Sequence, residues 1–385
     1  LDEIRISKTI GSIVMSNKKI VIIGAGFSGC TAAYLLSKKG HDVTLLEAGS
    51  HPGGGCWTRF HGEHPYTIGP RIFYSFNKEV YDHLNSFVKM RNFDTRTISY
   101  VEEDDAFYNY PLQYEDLPSM PDYKKIEKEL DEAKETGLDF DNFEKYWISA
   151  VGPTLYKKFV DQYSKKMWAI DSNLELSADF KWINRGTPIR DGDTRLFGDQ
   201  YQGYPYAITG YNDYFLKSLE GVDVHFNETI TGIDKENCIV NSESNQYKYD
   251  ILINTGHTDE VFGFKHGTLG YSGRKIIPVV LPNKFVFDNP DHYWAHYSGD
   301  QEYTRAVDFK KVTNNESDSC LLTLEMLCDK TRLYPKQTKP DLEMFESYKN
   351  EFPENYYAIG RLGKFKYTGI TDAIEQAMEL AEVIG

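Results

Sequence analysis

The sequence predicts an α/β fold with a buried parallel sheet, and three observations predict it. Lys19 to Ile23 (KIVII) is a short β-branched run, the pattern of a strand covered on both faces. A glycine-rich turn follows at once and opens a helical pattern. Two more strand patterns, Tyr249 to Gly256 (YDILINTG) and Tyr356 to Ile359 before Gly360-Arg361, end in the same kind of turn.

The first turn reads Gly24-Ala25-Gly26-Phe27-Ser28-Gly29. A helical pattern with Ala32, Ala33, Leu35 and Leu36 follows, then a second strand, Asp42 to Leu46, ending in Glu47. In that setting G-x-G-x-x-G is a dinucleotide fingerprint. Its first glycine makes the tight turn, its second lets backbone approach a pyrophosphate, and its third lets helix and strand pack closely. Phe27 and Ser28 stand in the first helical turn, where orphan N–H groups favour phosphate. Glu47 can accept hydrogen bonds from a ribose hydroxyl pair. The alternative, a glycine-rich turn in an unrelated unit, lacks an account of the acid after the second strand. Beyond Glu47 comes a second glycine-rich loop with Gly53, Gly54 and Gly55, which looks like the extension of glutathione-reductase-type FAD proteins. FAD is therefore expected, with Gly53 and Gly54 beside it.

At the end of the chain, Asp372 and Glu375 suggest a capping box, and Ile374, Ala377, Met378 and Ala381 the apolar face of a last helix. Helical patterning fills residues 77 to about 180, notably Val80 to Leu84, Tyr123 to Thr136 and Phe143 to Trp168. Strand-like runs (Ile276 to Leu281, Phe285 to Phe287, Tyr293 to Tyr297, Ala306 to Phe309, Leu321 to Leu327) suggest an antiparallel sheet. Gly186 to Gly203, with four Gly and three Asp, reads as a mobile loop. The predicted class is thus α/β: a Rossmann-like FAD-binding domain with an inserted helical domain and an antiparallel β-sheet domain. The expected boundaries are residues 1–17 as an N-terminal arm or expression remnant, and 18–76, 206–262 and 353–385 as a discontinuous FAD-binding domain. Residues 77–180 would form the helical domain leading into the mobile loop, and 181–205 with 263–352 the sheet domain.

Composition excludes several functions. The net charge of −15 argues against a nucleic-acid partner, which needs a cationic footprint. It would also repel a phosphorylated ligand at long range, so such a ligand needs local arginine clamps. No apolar run reaches the roughly 18 residues a membrane span requires. Five scattered cysteines show no metal-ligand spacing, so no metal is expected, and they read as free thiols of a reducing, cytoplasmic compartment.

Several separated motifs resemble one family, the flavin-dependent UDP-galactopyranose mutases. Phe159 with Tyr163-Ser164-Lys165-Lys166-Met167-Trp168 is similar to F-x-x-x-Y-T-x-K-Q-W. Thr187-Pro188-Ile189-Arg190 and Asp199 to Pro205 are similar to P-V-R and D-R-Y-Q-G-x-P. Tyr303-Thr304-Arg305 is similar to Y-T-R, Leu333-Tyr334-Pro335 to Y-Y-P, and Gly360 to Tyr367 to G-R-L-G-x-Y-x-Y. They occur in family order from about residue 18 to the end. The resemblance implies that Phe159, Tyr163 and Trp168 hold the uracil and its neighbourhood. It places Arg190, on the mobile loop, and Arg305 on opposite sides of a diphosphate. Tyr201, Tyr334 and Tyr367 would donate to phosphate oxygens, Asn109 would contact substrate, and Arg361 would lie near the flavin. Without family order, a Tyr or Trp at helical spacing is more often core than ligand.

The implied activity interconverts UDP-galactopyranose, or a related UDP-hexopyranose, and its furanose form. Reduced FAD would bond through N5 to the anomeric carbon with no net redox change. The implied partners are a UDP-sugar and an external reductant such as NAD(P)H; a homodimer, common in the family, is left open. Three departures fall near the flavin and sugar. Arg71 and Tyr74 replace two histidines of G-[AP]-H-I-F-H, Ala169 replaces a glycine, and Gly369 replaces an acid two residues after the last motif tyrosine. Arg71 would sit beside the flavin, where a permanent cation favours an anionic reduced ring or meets a substrate carboxylate. Another UDP-sugar, a related elimination or cyclisation, an ordinary FAD oxidoreductase, or a silent nucleotide-sugar binder remain the alternatives.

Overall fold

The computed structural model describes residues 17–177 and 188–385. The arm expected over 1–17 lies outside the described residues except for its last, as do Gly186 and Thr187 of the mobile loop. A five-stranded, fully parallel sheet carries the fingerprint. Its order is Asp223–Phe226, Asp42–Glu47, Lys19–Ile23, Ile251–Asn254, Tyr356–Ala358, so the start, middle and end of the chain build one sheet, as their patterns predicted. Alternation along Lys19–Ile23 explains why both faces are covered. Ile20 and Ile22 pack under helices Phe27–Lys38 and Ile370–Ile384, together with Ala32, Leu36, Ile374 and Ala377. Val21 and Ile23 face the other way, onto Val240, Leu252, Val261 and Tyr356. That face is closed by the antiparallel meander Ile230–Asp234, Ile239–Ser242, Gln246–Lys248.

Helices Tyr123–Thr136 and Phe143–Tyr156 pack over a second core of Phe143, Val151, Leu155, Phe159 and Trp168. The single helix expected from Phe143 to Trp168 is broken twice. Gly152 sits at φ +79° before Pro153, and a Cβ there would meet Glu129 Cβ at 2.7 Å. A π turn, Lys157–Asp161, then leads into Gln162–Trp168.

The large sheet has seven strands, in the order Tyr334–Pro335, Tyr271–Leu281, Cys320–Cys328, Tyr303–Asp308, His292–Tyr297, Arg96–Val101, Ala106–Tyr110. It is antiparallel except where His292–Tyr297 runs parallel to Arg96–Val101. Two of its strands therefore come from the stretch read as helical. Tyr201–Pro205, grouped from sequence with the large sheet, pairs instead with Phe73–Ser75 and Met90–Asn92. Phe285 to Phe287 forms no strand: the Val286 N–H is taken by the Asp308 side chain, and Lys311 lies over both phenylalanine rings. The last helix starts at Ile370, two residues before the expected cap. The Asp372 carboxylate accepts from the Gly369 N–H at 2.6 Å, while Glu375 accepts from Asn77 instead.

Candidate active site

One continuous cavity of about 460 Å³ runs from the fingerprint to the large sheet. At its first end, Gly24 turns at φ +95°, a conformation that disfavours any side chain. A Cβ on Gly29 would stand 1.9 Å from the Gly24 carbonyl oxygen, so only glycine lets the helix approach the strand so closely. No side chain caps helix Phe27–Lys38, and its first turn carries no acid. Its orphan N–H groups are thus left to a phosphate. Glu47 accepts from the Ala25 N–H at 2.8 Å and the Gly49 N–H at 2.7 Å, which fixes its carboxylate at the rim. The loop with Gly53 and Gly54 docks on the turn through Gly53 N–H to Ala25 O at 2.7 Å. Gly24, Gly26, Phe27, Ser28, Glu47, Gly53, Gly54 and Arg361 all line the cavity; Gly29 stands behind Gly24. An uncapped helix end, a bare glycine cradle and an acid at the rim fit the pyrophosphate and ribose of FAD.

Along the rest of its wall the cavity is cationic. Arg71, Arg190, Arg305 and Arg361 line it, with the hydroxyl-bearing rings of Tyr110, Tyr163 and Tyr367. Arg305 is positioned by sheet register. Directly across from it on the neighbouring strand stands Glu325, and on its other side His296. Arg305 donates to Glu325 Oε2 from Nε at 2.9 Å and Nη2 at 2.7 Å, while Glu325 is fully buried. Gly69, at φ +78°, makes room: a Cβ there would come within 2.6 Å of Glu325 Oε1. Burial opposes the Arg305 charge most strongly, but Glu325, Tyr163 and Tyr334 together outweigh burial and hold the guanidinium pKa above its ordinary value. Burial raises the Tyr163 pKa, against the pull of Arg305, so its hydroxyl stays protonated and able to donate.

Arg190 leaves the short strand Ile189–Arg190 and donates to the Arg195 and Leu196 carbonyls of its own loop. Arg361 donates to the Thr368 carbonyl, 4.7 Å from the Tyr334 ring centre and 5.0 Å from that of Tyr367. Arg274, fully inside, lies 4.9 Å from the Tyr334 ring centre and donates to Ser272, Gly273 and Met167.

Five of the expected substrate residues lie off the cavity wall. Phe159 packs in the helical core against Tyr108, because the π turn aims it inward. Trp168 is fully buried, edge-on to Tyr334 and Tyr367, and Tyr334 is itself 2% exposed between guanidinium groups. Asn109 is bound to Asp116 and opens on a separate cavity of about 370 Å³. Tyr201 begins its strand on the outer side and stacks on Tyr81. Glu325, Arg274, Tyr110 and His296 were not picked out from sequence. Only Glu325 left a signal, as a lone acid in the apolar run Leu321 to Leu327.

A glycine cradle joined to a chamber of arginines and tyrosines defines a flavoprotein whose second ligand is anionic. Comparison with known proteins narrows the class. Residues 158–367 match the family model for UDP-galactopyranose mutase, and residues 22–89 that for an NAD(P)-binding Rossmann-like domain. The chain belongs to the UDP-galactopyranose mutase family, and so is an isomerase that carries FAD. It is 26% identical to the dTDP-fucopyranose mutase of Escherichia coli, covering 95% of this chain and 98% of that one. It is 25% identical to the probable UDP-galactopyranose mutase of Klebsiella pneumoniae, covering 96% and 95%. Its fold superposes on the crystal structure of a reduced UDP-galactopyranose mutase with a TM-score of 0.83 at 18% identity, covering 96% and 95%. A putative protoporphyrinogen oxidase from Exiguobacterium follows the same fold with a TM-score of 0.67 at 15% identity. The same scaffold is therefore shared with a putative oxidase. Among the described residues, no helix is long and apolar enough to cross a membrane.

Proposed function

We propose that the protein interconverts the pyranose and furanose forms of a nucleoside diphosphate hexose, UDP-galactose or a close relative. The observation that carries this reading is that Arg190 and Arg305, from distant stretches, line the same cavity as the dinucleotide cradle. Reduced FAD, once bound, supplies the nucleophile for the anomeric carbon and returns its electrons unchanged at the end of the cycle. The chain's own residues handle the leaving group. Arg305, oriented by Glu325, offers its remaining N–H groups to the diphosphate. Tyr163 and Tyr367 add neutral donors, so the leaving charge is met by fixed dipoles and cations rather than water. Arg190 closes the site by exchanging its loop carbonyls for phosphate oxygens. An external reductant such as NAD(P)H keeps the cofactor active. All five cysteines are unpaired, which supports a reducing compartment such as the cytoplasm.

The test is anaerobic incubation of the reduced holoprotein with UDP-galactopyranose and UDP-galactofuranose, with products read by NMR. Interconversion over many turnovers without matching loss of reductant is expected. Stoichiometric consumption would make the protein an oxidoreductase. A second reading, the same reaction on a dTDP-6-deoxyhexose, is favoured by the near full-length match to the dTDP-fucopyranose mutase. Parallel incubation with dTDP-fucose decides between them.

A further inference from the structure

His296 lines the cavity, and the reaction outlined above gives it no task. Sheet register sets its place. It stands directly across from Arg305 on the neighbouring antiparallel strand, and Glu325 stands across from Arg305 on the other side. Directly opposed residues turn to one face of a sheet, with Cβ atoms about 4.5–5.5 Å apart. Trp294, two residues back on the same strand, shares that face. Its Nε1–H donates to His296 Nε2 at 2.8 Å, and both side chains are buried.

This bond fixes the charge of the ring. An indole nitrogen only donates, so Nε2 accepts and carries no proton. His296 is therefore a neutral imidazole with its proton on Nδ1. Protonation would set two N–H groups against each other across 2.8 Å. Turning the ring over would put a carbon in place of Nε2 and strand a buried donor. The neighbours act in the same direction. Arg305 brings a cation opposite the ring, and Glu325, the acid of this row, already accepts two hydrogen bonds from Arg305. Tyr110 and Tyr163 pack on the ring with centroids 5.0 Å away, and Ser99 stands opposite it on the remaining side. Tyr110 in turn lies within electrostatic reach of Arg190, so the ring belongs to the group that holds both diphosphate arginines.

We infer that His296, kept neutral by Trp294, donates from Nδ1 to the diphosphate of the substrate beside Arg305. The inference rests on the mutase reading above, which brings the diphosphate to Arg305, and adds a binding residue to it. Arg305 supplies charge to the anion, and His296 supplies a directed hydrogen bond without setting a second cation opposite the first. Trp294 is a positioning residue, acting through the protonation state of the ring.

The experiment uses oxidised holoprotein and UDP-galactose, whose esterified diphosphate keeps a constant charge from about pH 5.5 to about 8.5, the span in which an unconstrained histidine titrates. Nitrogen NMR of isotope-labelled histidines reads the ring directly, with His296 assigned by loss of its signals in His296→Asn. A protonated Nδ1 and a bare Nε2 are expected across the range. A ring that is charged at neutral pH, or that carries its proton on Nε2, overturns the inference. His296→Phe keeps the ring's bulk without a donor and should weaken UDP-galactose about tenfold or more. His296→Asn, whose amide N–H stands near the place of Nδ1, should recover most of that loss. Trp294→Phe releases Nε2 to take a proton, so its affinity should rise about tenfold relative to wild type as pH falls across the range. The double variant Trp294→Phe/His296→Asn should lose that rise. A Trp294→Phe profile parallel to wild type overturns the inference, as does a His296→Phe protein that loads FAD and binds like wild type. If Trp294→Phe fails to fold, the wild-type nitrogen spectrum and the two His296 variants decide. Wild type that binds UDP-galactose while His296→Phe is indifferent refutes only this inference. Wild type that neither binds it nor turns it over after reduction refutes the mutase reading itself.

Discussion

Replacing Arg305 with alanine should separate two roles that the structure fuses in one side chain. Arg305 makes two charge-assisted hydrogen bonds to Glu325, whose side chain is fully buried and whose Oε1 already lacks a partner. Removing the arginine leaves an uncompensated buried charge, at a cost of about 3–5 kcal/mol. For a chain of this size that corresponds to a fall in melting temperature of roughly 4–6 °C. Losing a cation at the diphosphate should weaken UDP about 10–100-fold and slow turnover by about 100-fold or more. The flavin should stay bound, because Arg305 bonds to Glu325 and not to any residue of the glycine cradle. The double variant Arg305→Ala/Glu325→Gln removes the stranded charge with its partner. It should regain most of the melting temperature and none of the turnover. Thermal melts, UDP titration and NMR turnover on wild type, single and double variants complete the cycle. The reasoning fails if the single variant keeps wild-type turnover, or if single and double variants melt together.

Gly29→Ala should yield protein without yellow colour, since the new methyl would press on the Gly24 carbonyl at 1.9 Å; flavin absorbance per polypeptide measures it, and normal loading would contradict the cradle. Trp168→Ala should lower stability by about 3–5 kcal/mol in denaturant titration, because its ring is fully buried rather than on the cavity wall. Glu351 is held at a pKa of about 2 by hydrogen bonds from Lys265 and Lys235, with His266 adding to them. A carboxylate lowered on folding stabilises above its unfolded pKa and loses that contribution as pH falls through the folded one. Wild type should therefore melt above Glu351→Gln at neutral pH. The gap should close between pH 4.5 and about 2, and a gap that ignores pH would refute the assignment.

The fingerprint was legible because each of its residues answers a local demand. A turn at positive φ, a close helix and an acid at a strand end are all visible in spacing. The middle and final strands were legible for the same reason, as short apolar runs ending in glycine. The strands at Arg96–Val101 and Ala106–Tyr110 were not. They carry Arg, Tyr, Ser and Asn; the first joins the sheet by pairing with a strand nearly two hundred residues away, and the second by pairing with the first. The chamber divides similarly. Arg190, Arg305, Tyr163 and Tyr367 were found through motif order and do line it. Motif order could not tell a wall residue from one behind the wall, which is why Trp168 and Tyr334 were read as contacts. Glu325 was missed because its meaning lies in register with Arg305, a relation between strands that a single segment does not contain.

The interleaved order of the parallel sheet bears on how the protein is made. Its central strand, Lys19–Ile23, leaves the ribosome hundreds of residues before the edge strand Tyr356–Ala358, two places away in the sheet. At ~5–20 residues per second the interval is roughly 20–70 s. Throughout that time the nascent polypeptide exposes unpaired strand edges, which invite association with other chains. Because Gly360 and Arg361 line the cavity, the wall that receives the flavin is complete only once the end of the chain has emerged.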